Sequence, residues 1–230
     1  MDKVAFSGSA EVGKLIARGA AGNVKKVSLE LGGKSPLIVV PDADLERAIP
    51  GAASAIRFDQ SQTCCAGSRL VAHPKVFDRV LKGVAEIAGR IEVGPGLDPS
   101  TEMGPLVSDE HFGRVKGYIE SGRNEGARFA TGCDPGVNGG DTNGGYFVQP
   151  TVLTDVKPSI RVVREEIFGP ALVAERYDDD LDRIATQAND TVFGLTGDAG
   201  RCRGEQQRGG CCKHAAEREE RSATCGRVGP

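Results

Sequence analysis

The sequence contains no run of about 18 or more apolar residues, so it offers no candidate membrane-spanning helix. Its first residues carry neither the basic stretch nor the apolar core of a secretory signal, and the cytoplasm is the expected compartment. A basic excess is also missing. The 29 Lys and Arg stand against 32 Asp and Glu, for a net charge of -3, which argues against a general nucleic-acid binder. Seven cysteines, an odd number without a signal, argue against a disulfide framework, so each is read as a free thiol. Apolar side chains are nearly absent from residues 201–230. From the set V, I, L, M, F, W and Y only Val228 occurs there, beside seven Lys or Arg, four Asp or Glu and four cysteines. Such a segment cannot build a core.

The remaining 200 residues hold 22 basic and 28 acidic side chains and virtually all the apolar ones. V-A-F-S-G-S reads as a short strand entering a glycine turn, with Ser9 capping a helix that follows. In K-V-S-L-E-L (26–31) apolar and polar residues alternate as in a strand, and Gly32 and Gly33 break it. P-L-I-V-V (36–40) is a continuous apolar run of the kind buried in a parallel sheet, and helical character follows from Asp42 to Ile56. The pattern recurs as a strand at 69–73 and a helix at 75–90. Three prolines and three glycines make 94–107 an irregular connection. A helix at 108–124, a strand at 127–130, a glycine-rich loop at 132–145, strands at 147–153 and 171–177 and a helix at 180–189 complete the series. Strands alternating with helices predict an α/β domain with a mainly parallel sheet.

Three constellations carry chemistry. In Q-T-C-C-A-G-S-R (62–69), Cys64 precedes a small-residue turn and is sterically open, as a nucleophilic thiolate needs. The alternative is a pair of small buried hydrophobes at a loop-strand junction. In L-E-L-G-G-K-S-P (29–36), Glu30 stands between apolar neighbours at a strand end. Partial desolvation there would suit a general base, whereas a solvated edge-strand carboxylate is the plain alternative. In R-E-E-I-F-G-P (164–170), a Gly-Pro turn would present Glu166 and Phe168 near a strand end, where α/β sheets bind ligands; solvated acids at a turn are the alternative. His73 and His111 read as surface residues. Cys202, Cys211, Cys212, His214 and Cys225 match no zinc-ligand spacing, so no metal site is expected.

Taken together and in this order, these motifs and F-S-G-S-A-E-V-G (6–13) resemble the aldehyde dehydrogenase superfamily over residues 4–197, ending in A-N-D-T-V-F-G-L (188–195). The resemblance implies a three-layer α/β/α catalytic domain with a mainly parallel sheet, plus a remnant strand-helix of a Rossmann-like cofactor domain. It divides the chain into 1–30 (cofactor-domain remnant), 31–197 (catalytic) and 198–230 (aberrant, disordered tail). Cys64 matches the family's nucleophile and Glu30 its general base. Glu166 and Phe168 match the residues that hold the nicotinamide ribose and ring, and Gly8 and Ser9 the turn that approaches the cofactor phosphates. Cys65 is expected only to pack. The implied chemistry is addition of Cys64 to an aldehyde, hydride transfer to NAD or NADP, and hydrolysis of the thioester by water that Glu30 activates, with the Cys64 N–H serving the oxyanion.

The implied partners are a small-molecule aldehyde and, in the family's habit, further copies of the chain, with neither nucleic acid nor membrane. The sequence also departs from the family pattern. The part expected before the G-S turn, with its oxyanion asparagine and ribose-gripping lysine, does not appear, so weak cofactor affinity is expected. After about Gly197 the family's closing glycine-rich motif and oligomerisation strand give way to a segment that reads like translation out of frame or a truncation. Asp59 and Ser61 stand where asparagine and glycine are usual. The rival expectations are a non-catalytic remnant that lacks cofactor binding, and a thiol esterase built on Cys64 and Glu30.

Overall fold

The computed structural model describes residues 1–132, 145–177 and 180–200. The expected tail and its cysteines beyond residue 200, and most of the glycine-rich loop at 132–145, lie outside these. The chain opens with β1 (Lys3–Ser7), α1 (Ala10–Ala21) and β2 (Lys26–Glu30), and β1 and β2 form a two-stranded parallel sheet. Their side chains alternate between exposed and half-buried, with Val4, Phe6, Val27 and Leu29 on the more covered side. Ser9 caps α1, its hydroxyl accepting from the Val12 N–H at 3.3 Å, as the sequence predicts.

A second sheet follows. It is built from β3 (Pro36–Val39), β4 (Arg69–Ala72), β5 (Arg128–Thr131), β6 (Thr151–Thr154), β7 (Ala171–Arg176) and β8 (Asp198–Gly200), in the spatial order β5-β6-β7-β4-β3-β8. Every pairing is parallel except β5 with β6. The helices are α2 (Leu45–Arg57), α3 (Pro74–Ala88), α4 (Asp109–Asn124), α5 (Arg161–Arg164) and α6 (Leu181–Asn189).

The three layers follow from strand alternation. Leu70, Ala72, Leu172 and Ala174 point to α2 and α3, where Ile56, Phe77, Val80 and Val84 complete one core. Leu153, Ala171 and Val173 point to the opposite face, against Val115 and Ile119 of α4 and Val162 and Val163 of α5. Val71 of β4 packs on that same face with Ile184 of α6. Both faces of β4 are therefore buried, as a continuous apolar strand requires.

Three expectations need correction. The strand expected at 147–153 begins only at Thr151, because Pro150 has no N–H to enter the ladder. Residues 198–200, assigned to the disordered tail, pair as β8 with Leu37 to Val39. His73 is buried, not a surface residue: its Nδ1 accepts from the Lys75 N–H at 3.1 Å and caps α3, whose first residue is Pro74. Among the described residues, no helix is long and apolar enough to cross a membrane.

Candidate active site

The three expected constellations come together at Gly33. Its N–H donates to the Glu166 carboxylate at 3.0 Å. A Cβ at Gly33 would collide with the Cys64 carbonyl, and one at Gly32 would collide with the Glu166 carboxylate. At Gly33 only a glycine lets the turn pass the Cys64 backbone, whereas a side chain at Gly32 would displace the Glu166 carboxylate. The register explains the meeting. Pro36 pairs with Arg69, Arg69 pairs with Val173, and the Arg69 N–H reaches the Ser35 carbonyl, so residues 32–35, 64–68 and 165–170 all enter neighbouring parallel strands side by side.

This edge of the six-stranded sheet is its amino edge, not the carboxyl edge where α/β sheets commonly bind ligands, and the expectation for Glu166 and Phe168 changes accordingly. The carboxyl edge that contributes belongs to the small sheet. There β1 ends at Ser7 and β2 at Glu30, with the Gly8 N–H donating to the Glu30 carbonyl at 3.0 Å. Residues 31–35 carry the chain from one edge to the other.

Cys64 is half-buried, in the turn between α2 and β4. The residues before it take an uncommon path: Asp59, Gln60 and Ser61 have φ of 48°, 52° and 55°. Gln62 ties this turn to the irregular connection, accepting from the Val107 N–H and donating to Gln60, both at 3.0 Å. Cys65 does not pack. It is exposed, with its sulfur 3.4 Å from the Thr63 hydroxyl. Glu30 is exposed as well, contrary to the desolvation expected of it. Its neighbours Leu29 and Leu31 turn towards cover, and alternation sends Glu30 to the side shared with Lys26 and Ser28.

Glu166 and Phe168 are both half-buried, and Phe168 sits at φ 59°. His111, expected at the surface, is half-buried against Phe168. Sequence reasoning passed over a group of buried charges on the α6 side of the sheet. Lys34 is 2% exposed, and its ammonium has no hydrogen-bond partner among the described residues. Burial, seconded by the nearby Arg69, pushes its pKa down to about 7, while Glu166, Glu175 and Glu165 pull the other way. Arg69 gives its guanidinium to the last carbonyls of α6, at 2.9 Å from Gln187 and 2.5 Å from Ala188. Burial raises the Glu175 carboxyl, against the pull of Arg69. A lysine set directly before an apolar strand was the available signal for this group.

Two surface hollows, of about 390 and 340 Å³, lie between α3 and β5 and beside α6, and neither is lined by Cys64, Glu30 or Glu166. Among the described residues no group of His, Cys, Asp or Glu has the arrangement of a metal site.

The family model described as "Aldehyde dehydrogenase family" matches residues 1–199. The chain is 45% identical over 195 residues to the putative aldehyde dehydrogenase DhaS of Bacillus subtilis, covering 85% of this chain and 38% of that one. It is 42% identical over 201 residues to the betaine aldehyde dehydrogenase of the same organism, covering 86% and 40%. Among solved structures, the NAD+ complex of an aldehyde dehydrogenase from Bacillus cereus superposes with a TM-score of 0.83 at 43% identity, covering 88% of this chain and 40% of that one. The chain thus spans about two fifths of the length of these relatives.

Proposed function

Because the chain belongs to the aldehyde dehydrogenase family, we propose that it carries the thiol and carboxylate chemistry of NAD(P)-dependent aldehyde oxidation, with Cys64 as nucleophile and Glu30 as general base. The observation that carries this reading is the convergence at Gly33, whose backbone lies against the Cys64 carbonyl while its N–H holds Glu166. The Cys64 thiolate adds to a carbonyl carbon, and the developing oxyanion takes the Cys64 N–H, which donates to none of the described residues. Glu30, exposed at the strand end, accepts the proton of a water that attacks the acyl carbon and frees the thiol.

The residues fit a pyridine dinucleotide. The α1 N-terminus opens at the carboxyl end of a parallel β-α-β unit, and the Gly8–Ser9 turn brings bare backbone to that end, where a Cβ at Gly8 would strike the Phe6 ring. Gly8 and Ser9 would receive the phosphates, Glu166 the ribose hydroxyls and Phe168 the nicotinamide. The chemistry such a cofactor supplies when bound is acceptance of hydride. On this reading, residues 1–30 serve the cofactor, residues 31–197 the chemistry, the substrate is a small aldehyde, and the working compartment is a reducing one such as the cytoplasm.

Ester hydrolysis tests the assignment, since acylation and deacylation on p-nitrophenyl acetate need only the thiol and the base. The wild-type chain and the Cys65→Ser variant should turn over, Cys64→Ser should be silent, and Glu30→Gln should acylate once and stall. Activity that survives Cys64→Ser, or that vanishes with Cys65→Ser alone, removes Cys64 from the role. The exposure of Glu30 favours one second reading, a folded but non-catalytic unit. A chain that acylates at Cys64 and never turns over would establish that reading.

A further inference from the structure

One face of α4 grips the E-E-I-F segment residue by residue. His111, Arg114 and Tyr118 follow one another at helical spacings of three and four, so they share a face. His111 Nε2 lies 2.6 Å from the Phe168 carbonyl oxygen, and its ring meets the Phe168 ring edge-on at 5.7 Å between centroids. Arg114 donates to the Glu166 carbonyl at 3.3 Å. The Tyr118 hydroxyl donates to the Glu165 carboxylate at 2.8 Å, and Arg161 holds the same carboxylate at 3.1 Å. Ile167 is fixed by packing: it is 1% exposed in the core that Val115 of α4 also builds.

Each of the four residues therefore has its own fastening, and two of these act on backbone carbonyls rather than on side chains. That choice matters at Phe168, whose φ of 59° is uncommon for a residue with a side chain and persists only where the surroundings impose it. It matters at Glu166 too, because holding the residue by its carbonyl leaves the carboxylate free to meet the Gly33 N–H.

We propose that His111 and Arg114 are positioning residues, which hold the backbone of residues 166–168 so that the Glu166 carboxylate and the Phe168 ring are preset for the ribose and ring of a nicotinamide nucleotide. The inference rests on the cofactor reading of Glu166 and Phe168 given above. His111 acts in the tautomer that carries its proton on Nε2, donating to the Phe168 carbonyl while its own ring meets the Phe168 ring edge-on.

The probe is NAD+ at millimolar concentration, read by saturation-transfer NMR as the ratio of nicotinamide to adenine proton signals in the wild-type chain, His111→Ala and His111→Gln. Hydrogen exchange of peptides spanning 162–170 is followed in parallel. His111→Ala should lower the ratio about fivefold, the equivalent of one neutral hydrogen bond. His111→Gln, which keeps an N–H donor, should restore it. Exchange across 162–170 should quicken about tenfold in His111→Ala and stay unchanged elsewhere. An unchanged ratio in His111→Ala, or a loss that His111→Gln does not repair, overturns the positioning role. A wild-type chain with adenine signals but no nicotinamide signals overturns the cofactor reading of this segment. Exchange then still decides the clamp, which stands if 162–170 quickens and falls if it does not.

Discussion

Lys34 holds an ammonium where water cannot reach it and no acceptor meets it among the described residues. Its charge faces Arg69 as well as Glu165, Glu166 and Glu175, and the net effect, dominated by burial, brings its pKa from 10.5 down to about 7. A base whose folded pKa lies below its unfolded value binds fewer protons when folded. Stability therefore rises with pH between about 7 and 10.5, and the burial penalty is fully present below that window. Lys34→Met removes the charge while keeping most of the volume, so it should stabilise the fold most at neutral pH and below. The advantage should shrink by about 2 kcal/mol between roughly pH 7.5 and 9.5 in urea titrations. An advantage that is constant across this range would show that Lys34 is not neutralised on folding. Such a residue is a poor choice for stability alone. Its place one position after Gly33, near Glu166, ties the cost to the site.

The turn before Cys64 stores strain of a different kind. Three successive residues with side chains adopt the left-handed region, each at roughly 1–2 kcal/mol. Two of them, Asp59 and Ser61, stand where the resemblance drawn from the sequence would place asparagine and glycine, the residues that tolerate that region best. Ser61 offsets part of its cost by donating its hydroxyl to the Ala55 carbonyl, one of the unpaired acceptors at the end of α2. Ser61→Ala loses that bond and keeps the strain, whereas Ser61→Gly loses the bond and relieves the strain. The glycine variant should therefore be the more stable of the two by about 1 kcal/mol in urea denaturation, the reverse of the usual order in ordered backbone. Equal stability would mean that the turn relaxes in solution.

At this scale much was legible in the sequence. Helix α1 with its Ser9 cap, the apolar strands β3 and β4, and the helices at 74–88 and 109–124 follow from periodicity and capping chemistry. The left-handed turn, the four-residue α5 and the capping role of His73 could not be read there. The turn rests on a backbone region that residue type favours only weakly, α5 is too short to show a period, and the His73 cap, though its partner Lys75 is two residues on, uses a side chain uncommon at that position. The site divides in the same way. Cys64 and Glu166 were visible as residues, but the Gly33 backbone that joins them and the buried cluster of Lys34, Arg69 and Glu175 depend on strand register.

On the scale of the whole molecule, the candidate site joins two units of unequal strength. All four residues of β4 and of β6, and five of the six in β7, are buried, with helices on both faces. By contrast β1 and β2 contain no fully buried residue, and α1 buries only Gly13 and Ala20. A two-stranded sheet with so little covered area is marginal on its own. Amides of β1 and β2 should then exchange about a hundredfold faster than those of β4 and β7, since opening the small unit exposes far less apolar surface than opening the large one. The difference has a chemical consequence under the proposed roles, because Glu30 ends β2 whereas Cys64 precedes β4. In moderate urea the small unit should open first, carrying the base away from a thiol whose turn is still folded. With p-nitrophenyl acetate, the burst from acylation of Cys64 should persist over a range of urea in which steady-state turnover has already fallen. Loss of burst and turnover at a single midpoint, with uniform exchange across β1, β2, β4 and β7, would mean that the two sheets unfold as one cooperative body.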